Sequence, residues 1–291
     1  MASKVLIVYA HQSPSSFSAA AKDAAVEVLK SENCTVEVSD LYAMNFKATA
    51  TAEDITGEVK NADHFCYAEE TKLAWEDGRL CADITEEQRK LNEADLIIFQ
   101  VKTILSMMQS SIDKHFCVFQ FPMYWFSVPA ILKGWFDRVL TLGFAYTQDK
   151  RYSQGIFENK KAMLSFTTGS QETMFSPNGI NGDMNVTLWP LQNGILHYCG
   201  FQVLAPQIFW DPVLAPLERR NSMLEAWRTR LQGLLKEQPL SFTPMCCFDS
   251  EKGFQLRPEA LEKHANGEFG LTVGIHLGKP LPPNNQMKAG V

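Results

Sequence analysis

No apolar run in this chain approaches the ~18–20 residues of a membrane span, so no bilayer crossing is expected. The first residues, MASKVLIVYA, carry one Lys and an apolar stretch too short for a secretory signal, and suit a first strand. Basic residues are in deficit: 27 Lys and Arg against 33 Asp and Glu leave a net charge of −6. That balance argues against nucleic acid and, less firmly, against membrane contact. Cysteine is scarce and odd in number, with seven residues at 34, 66, 81, 117, 199, 246 and 247. They form no CxxC or framework spacing, so free thiols in a reducing cytoplasm are expected. The adjacent Cys246-Cys247 pair reads as chance. There is no GxGxxG and no Walker loop, which leaves classical dinucleotide binding and nucleotide hydrolysis unsupported. No Ser/His/Asp or Cys/His signature stands out. His197 lies four residues after Asn193, but Asn is a poor metal ligand, and no zinc site is expected. Glu86-Glu87 read as solvated helix ends. No internal repeat of domain size is present.

What is there is ordinary in bulk, 45% apolar and 21% charged. The 291 residues allow one large domain or two, at about 150 residues per domain. The most informative stretch is FPMYWFSVPAILKGWFDRVL, residues 121–140. Phe121, Tyr124, Trp125 and Phe126 crowd a loop. Pro129 falls in the expected first helical turn, where a missing N–H does no harm. Ile131, Leu132, Trp135, Phe136, Val139 and Leu140 then recur at helical spacing. A buried helix behind an ordinary loop would explain the second half. It would not explain three large side chains in a row, which cannot all face one core. Strand, aromatic loop and helix together suit a flat ring held at the carboxyl edge of an open α/β sheet.

Along the chain, strands are expected at Val5–Ala10, Thr35–Leu41, Ala94–Gln100, Lys161–Phe166 and Gly200–Trp210. A helix after His11–Ser18 shows Ala21, Ala24, Ala25, Val28 and Leu29 on one face. Residues 42–84 look irregular apart from a short helix near 67–75. Thr85 with Gln88 makes a capping box for a helix to about Asn92. Another helix is expected near 187–198, and a long one over 216–236 with Leu217, Leu224, Trp227, Leu231 and Leu234 inward. Residues 237–291 carry more Pro and Gly and read as an extension wrapped on the domain. Alternating strands and helices imply a doubly wound parallel sheet.

Two loops at strand ends suit phosphate or a polar ring edge. His11–Ser18 leads into a helix N-terminus and supplies Ser13, Ser15, Ser16 and Ser18. Thr167–Ser170 is small and rich in donors. With the aromatic loop they favour a flavin, which has a phosphate end, a ring to stack and a polar edge. Arg220 is in phase with the inner stripe, where a charge either meets a cofactor or snorkels to solvent.

The blocks LIVYAH, SDLYAMNF, DITG, EADLIIFQ, FPMYWFSVPAILKGWFDRV, FAYT, TTG, GDMNVTLWPLQ, ILHYCGFQVLAPQ and FGLTVGIHLGK resemble the animal NAD(P)H:quinone oxidoreductases, or DT-diaphorases. The FGLTVG…LGK tail resembles the longer branch, which uses NADH or NADPH. The resemblance implies a flavodoxin-like α/β fold with a C-terminal extension. It also implies bound FAD, and a homodimer whose two active sites are each built from both subunits. On that basis 1–236 is the catalytic domain and 237–291 the extension. FAD contacts fall on His11, Phe17 and Ser18, on Met123, Tyr124, Trp125 and Phe126, and on Thr167, Thr168, Gly169 and Ser170. Arg220 and Leu224 match contacts near the adenosine end. Ala145, Tyr146 and Thr147 match a segment meeting substrate from the partner subunit, and Tyr198 matches an aromatic of the pocket wall. The expected activity is two-electron reduction of quinones by NADH or NADPH, in the cytoplasm.

The departures from the family are specific. Phe175 stands where a Tyr contacts the flavin's polar edge, and Asn181 where the longer branch has His. With Tyr146 these are the positions expected to shape the reaction. Gln148 replaces a Tyr, and Ser170 the second Gly of TTGG. Asn193, with no matching Cys, removes the metal site of the shorter branch. Residues 101–120 are extra, lying between two Phe-Gln pairs where the family joins strand to loop directly. Codons permitted for Val101-Lys102 and Phe116–Gln120 resemble splice sites. A retained in-frame intron is therefore the leading reading and a genuine loop the alternative. An insert there, with Phe175, supports a rival function: a catalytically impaired or flavin-poor isoform that acts as a binding protein. An electron-transfer protein using FMN is a second rival.

Overall fold

Strand β1, Lys4–Ala10, is buried on both faces from Val5 onward, as a central parallel strand requires. The computed structural model describes residues 2–13, 16–101 and 123–268. Within them follow α1 (Phe17–Ser31), β2 (Thr35–Asp40), α2 (Tyr67–Glu76), α3 (Ala82–Glu93) and β3 (Leu96–Val101). Then come α4 (Ala130–Val139), β4 (Lys161–Thr168), α5 (Met184–Leu191), β5 (Gln202–Val203), β6 (Gln207–Trp210) and α6 (Leu217–Gly233). A short hairpin, β7 (Phe248–Asp249) with β8 (Gln255–Leu256), and α7 (Pro258–His264) complete the described extension.

The main sheet runs β2-β1-β3-β4-β5, all parallel, with β6 also on β4. Side chains alternate between two cores, as a period of two demands. Leu6, Val8, Ile97, Phe99 and Leu164 join the core that holds Trp135 and Phe136 of α4 and Leu188 of α5. Val5, Ile7, Leu96, Ile98 and Met163 face Ala21 and Ala25 of α1 and Trp227 of α6. The helices thus cover both faces of the doubly wound sheet.

Several boundaries differ from the sequence expectation. The helix assigned to a Thr85–Gln88 cap begins at Ala82. Thr85 sits inside it, its hydroxyl donating to the Cys81 carbonyl at 3.2 Å. The fifth strand is two short pieces on one edge. Leu204 N–H still reaches the Ala162 carbonyl at 2.8 Å, but Pro206 has no N–H to continue the ladder. The helix expected near 187–198 starts at Met184 and contains Pro190. Pro190 removes one helical hydrogen bond, and the chain widens into a π-helix over Gln192–His197. Leu217 is not on the inner stripe: it is 64% exposed, whereas Trp227, Leu231 and Leu234 are buried. Glu87 is no solvated helix end. It is fully buried and accepts from Trp135 Nε1 at 2.7 Å, Ser39 Oγ at 2.9 Å and Lys90 Nζ at 2.7 Å.

β3 keeps its register with β1 and β4 through Gln100. The rest of the expected insert, 102–120, lies outside the described residues, as does Ser15. The six described cysteines are free thiols. Leu240 and Phe242 pack with the core that holds Trp135 and Phe136. No helix among the described residues is long and apolar enough to cross a membrane.

Candidate active site

The site loops converge at the carboxyl ends of β1, β3, β4 and β6, the edge where open α/β sheets bind ligands. After β1, His11 is buried and its Nδ1 accepts from the Ser13 N–H at 2.7 Å. Ser16 caps α1, accepting from Ala19 N–H at 3.2 Å, so this hydroxyl is spent on the helix. Ser18, the second residue of α1, is fully buried, and its Oγ has no hydrogen-bond partner among the described residues. Gln100, at the end of β3, donates through Nε2 to the Ser18 carbonyl at 3.3 Å. Phe17 meets Phe209 of β6 edge-on at 5.2 Å.

The aromatic loop is held from below. Met123 N–H donates to the Thr167 carbonyl at the end of β4, at 3.1 Å. Ser127 N–H donates to the Tyr124 carbonyl at 2.9 Å and closes the turn. Trp125 and Phe126 occupy the left-handed region, with φ of 49° and 61°. Such a backbone costs on the order of 1–3 kcal/mol per non-glycine residue. What the strain achieves is display: Trp125 is 95% exposed and Phe126 48%. None of the three successive aromatics is core: Tyr124 is half-buried and the other two are exposed. Phe126 packs edge-on against Phe175 at 5.7 Å, and Phe175 against Trp210 at 5.8 Å. The three rings form a shelf beside Thr167, Thr168, Gly169 and Ser170. Thr168 Oγ1 donates to the Ser170 carbonyl at 2.7 Å. The Asp211 N–H donates to the Thr168 carbonyl at 3.1 Å. Asn181 lies half-buried, its N–H donating to the Met174 carbonyl at 2.9 Å.

Arg220 is half-buried on α6, and its Nε is enclosed without a hydrogen-bond partner among the described residues. Leu224 packs on the α1–α6 core. The remaining expected residues gather elsewhere. Ala145 is buried, Thr147 half-buried, and Tyr146 meets Tyr198 at 5.4 Å. Burial raises the Tyr146 hydroxyl, with Tyr198 and Cys199 adding to the effect. Among the described residues no ring contact joins Tyr146 or Tyr198 to the Trp125–Phe126 turn.

Trp210, Phe209, Gln100 and Asp211 were not singled out from sequence. Their signal was position: each lies in the last two residues of a strand of the same sheet, or directly follows one. Enclosed polar atoms such as Ser18 Oγ and the Arg220 Nε are costly unless a ligand satisfies them. A flavin fits this set, with a phosphate at the α1 N-terminus, where helix N–H groups attract anions, and a ring at the aromatic shelf.

The sequence profile of the flavodoxin-like fold matches residues 3–104 and 110–231, breaking inside the 101–120 segment. The NAD(P)H dehydrogenase (quinone) 1 of Rattus norvegicus is 48% identical over 288 residues, 98% of this chain and 98% of its own. The ribosyldihydronicotinamide dehydrogenase (quinone) of Pongo abelii is 50% identical over 240 residues, 82% of this chain and 95% of its own. Among solved structures, a protein assigned as a quinone reductase from Klebsiella pneumoniae superposes with a TM-score of 0.79 at 35% identity. That match covers 94% of this chain and 100% of the other.

Proposed function

Because this chain belongs to the NAD(P)H:quinone oxidoreductase family of flavodoxin-like proteins, we propose that it reduces quinones to hydroquinones with NADH or NADPH, using FAD. The observation that carries the reading is the strained, exposed Trp125-Phe126 turn, hydrogen-bonded to the end of β4. A bound flavin would supply the two-electron redox chemistry that links the nicotinamide to the quinone. The chain's own residues bind and orient. Met123–Phe126 stack on the ring, and Thr167–Ser170 present donors to its edge, where charge develops. Phe175 fills the place of a donor with a ring, and Asn181 can donate but cannot take a proton. Ser18 and the first turn of α1 receive phosphate. The enclosed Arg220 Nε and Leu224 support a second anchor, for the adenosine half, which favours FAD over FMN.

The separation of Tyr146 and Tyr198 from the aromatic shelf supports a site completed by a second copy. Trp125, Ile180 and Val186, all exposed, supply apolar surface for a homodimer. The protein belongs in the cytoplasm on this reading.

The test is an absorbance spectrum of the purified protein with a steady-state menadione assay. Flavin bands, acid-released FAD and NAD(P)H-dependent turnover are expected; FMN on acid release would overturn the FAD assignment. A flavin-poor binding protein is the second reading, favoured by Phe175, which is 9% exposed and packed in the core. Colourless, inactive protein would select it.

A further inference from the structure

Beside the Tyr146–Tyr198 pair, the catalytic core and the C-terminal extension together line a cavity of about 270 Å³. Its walls include Arg151, Tyr152, Trp189, His197, Phe248 and Phe254. Rings dominate. Tyr152 lies 5.5 Å from His197, which stacks on Phe242 at 4.2 Å and 14°. Tyr152 and Phe254 are both left-handed, with φ of 53° and 61°. Side chains rarely adopt that backbone, and here it sets two rings into one cavity from different segments.

The charge inside is of one sign. The Arg151 guanidinium lies 4.9 Å from the centre of the Phe254 ring. Among the described residues its enclosed Nε has no hydrogen-bond partner and no carboxylate pairs with it. A guanidinium stays charged at any ordinary pH. His197 adds no second charge near neutrality, because burial pulls its imidazole down to about 4. The cavity is therefore an aromatic slot with one unanswered cation. It falls just short of the roughly 300 Å³ at which sites for drug-sized ligands begin, which suits one or two fused rings and not a dinucleotide.

We propose that this cavity binds a small planar aryl carboxylate. The carboxylate would complete Arg151 with the parallel N–H···O pair a guanidinium favours, and the ring would lie among Tyr152, Trp189 and Phe254. The site uses none of the residues given to the flavin, so it stands or falls independently of the quinone-reductase reading.

Calorimetric titration of the full-length protein with 2-naphthoate, and with 2-naphthylmethanol as its neutral isostere, tests it. Saturable binding of one naphthoate per chain is expected, at least tenfold tighter than the alcohol. Arg151→Met should bring naphthoate down to the affinity of the alcohol and leave the alcohol unchanged. Thr243 also lines the cavity, and Thr243→Trp, which fills it, should abolish both, with unaltered circular dichroism showing that the fold is kept. No naphthoate binding, equal affinity for acid and alcohol in the parent, or undiminished naphthoate binding in Arg151→Met would each overturn the proposal. The comparison within the parent protein decides the matter even where a variant fails to fold.

Discussion

Arg138 and Asp54 meet at 2.9 Å, one on α4 and the other 84 residues earlier, with both side chains shut off from solvent. Arg138 also donates to Asp83 at 2.6 Å and to the Lys47 carbonyl at 2.9 Å, while Tyr67 O–H donates to Asp54 at 2.7 Å. The stretch 42–84, irregular to the eye in sequence, is tied to the helix behind the aromatic loop by this network. Burial alone would raise the Asp54 carboxyl. The Arg138 and Tyr67 hydrogen bonds outweigh it and hold the group below the usual carboxylate range.

Arg138→Met leaves Asp54 charged and buried with only Lys47 Nζ, 3.5 Å away, to answer it. A loss of roughly 3–5 kcal/mol is expected, the usual cost of breaking a buried pair from one side. Urea unfolding measures it. Arg138→Lys should recover little, since one ammonium cannot reproduce the fork to Asp54 and Asp83. A midpoint unchanged from the parent in Arg138→Met would remove this network from the account of stability.

His197 makes stability depend on mild acid. The folded ring titrates near 4 and the free ring near 6.5. Between those values the unfolded chain binds a proton that the folded chain refuses. Stability is therefore full above about pH 6.5 and falls as pH drops towards 4, by up to roughly 3 kcal/mol. His197→Gln should flatten this limb in thermal melts taken across the range, and an identical slope would assign the effect to another group.

Phe175→Tyr restores a donor at the shelf. Flavin reduction by NADH in stopped flow should speed up by about tenfold, short of the ~10²–10³ of a well-ordered oxyanion site. A rate equal to or below the parent's would show that the ring is only packing against Phe126 and Trp210.

Deleting Val101–Gln120 joins Gln100, already in register on β3, to the aromatic loop. Loop-closure entropy changes by only about 1.6 kcal/mol between 4 and 24 residues, so folding should persist. Flavin per chain and diaphorase activity should both rise. Equal occupancy and turnover in the two forms would make the segment a harmless loop.

Light scattering at micromolar concentration should report a dimer. A monomer would refute the shared site and with it the role given to Tyr146.

The sequence alone determined the alternation of strand and helix. The unbroken apolar run of β1 and the helical period of α4 are local, and hydrophobic burial needs nothing more to sort them into layers. It also determined that Tyr124, Trp125 and Phe126 could not all be core, because their bulk exceeds what one face accepts. What it left open depended on partners far away in the chain. Glu87 looks like any helix-end carboxylate until Trp135, 48 residues later, donates to it in the core. Leu217 holds the right phase for burial, but it sits in the first turn of α6, and no neighbour covers it there. Whether Arg220 snorkels or turns inward was an even choice on periodicity. Only packing encloses its Nε, because desolvation depends on which atoms surround a group and not on where it stands in the helix.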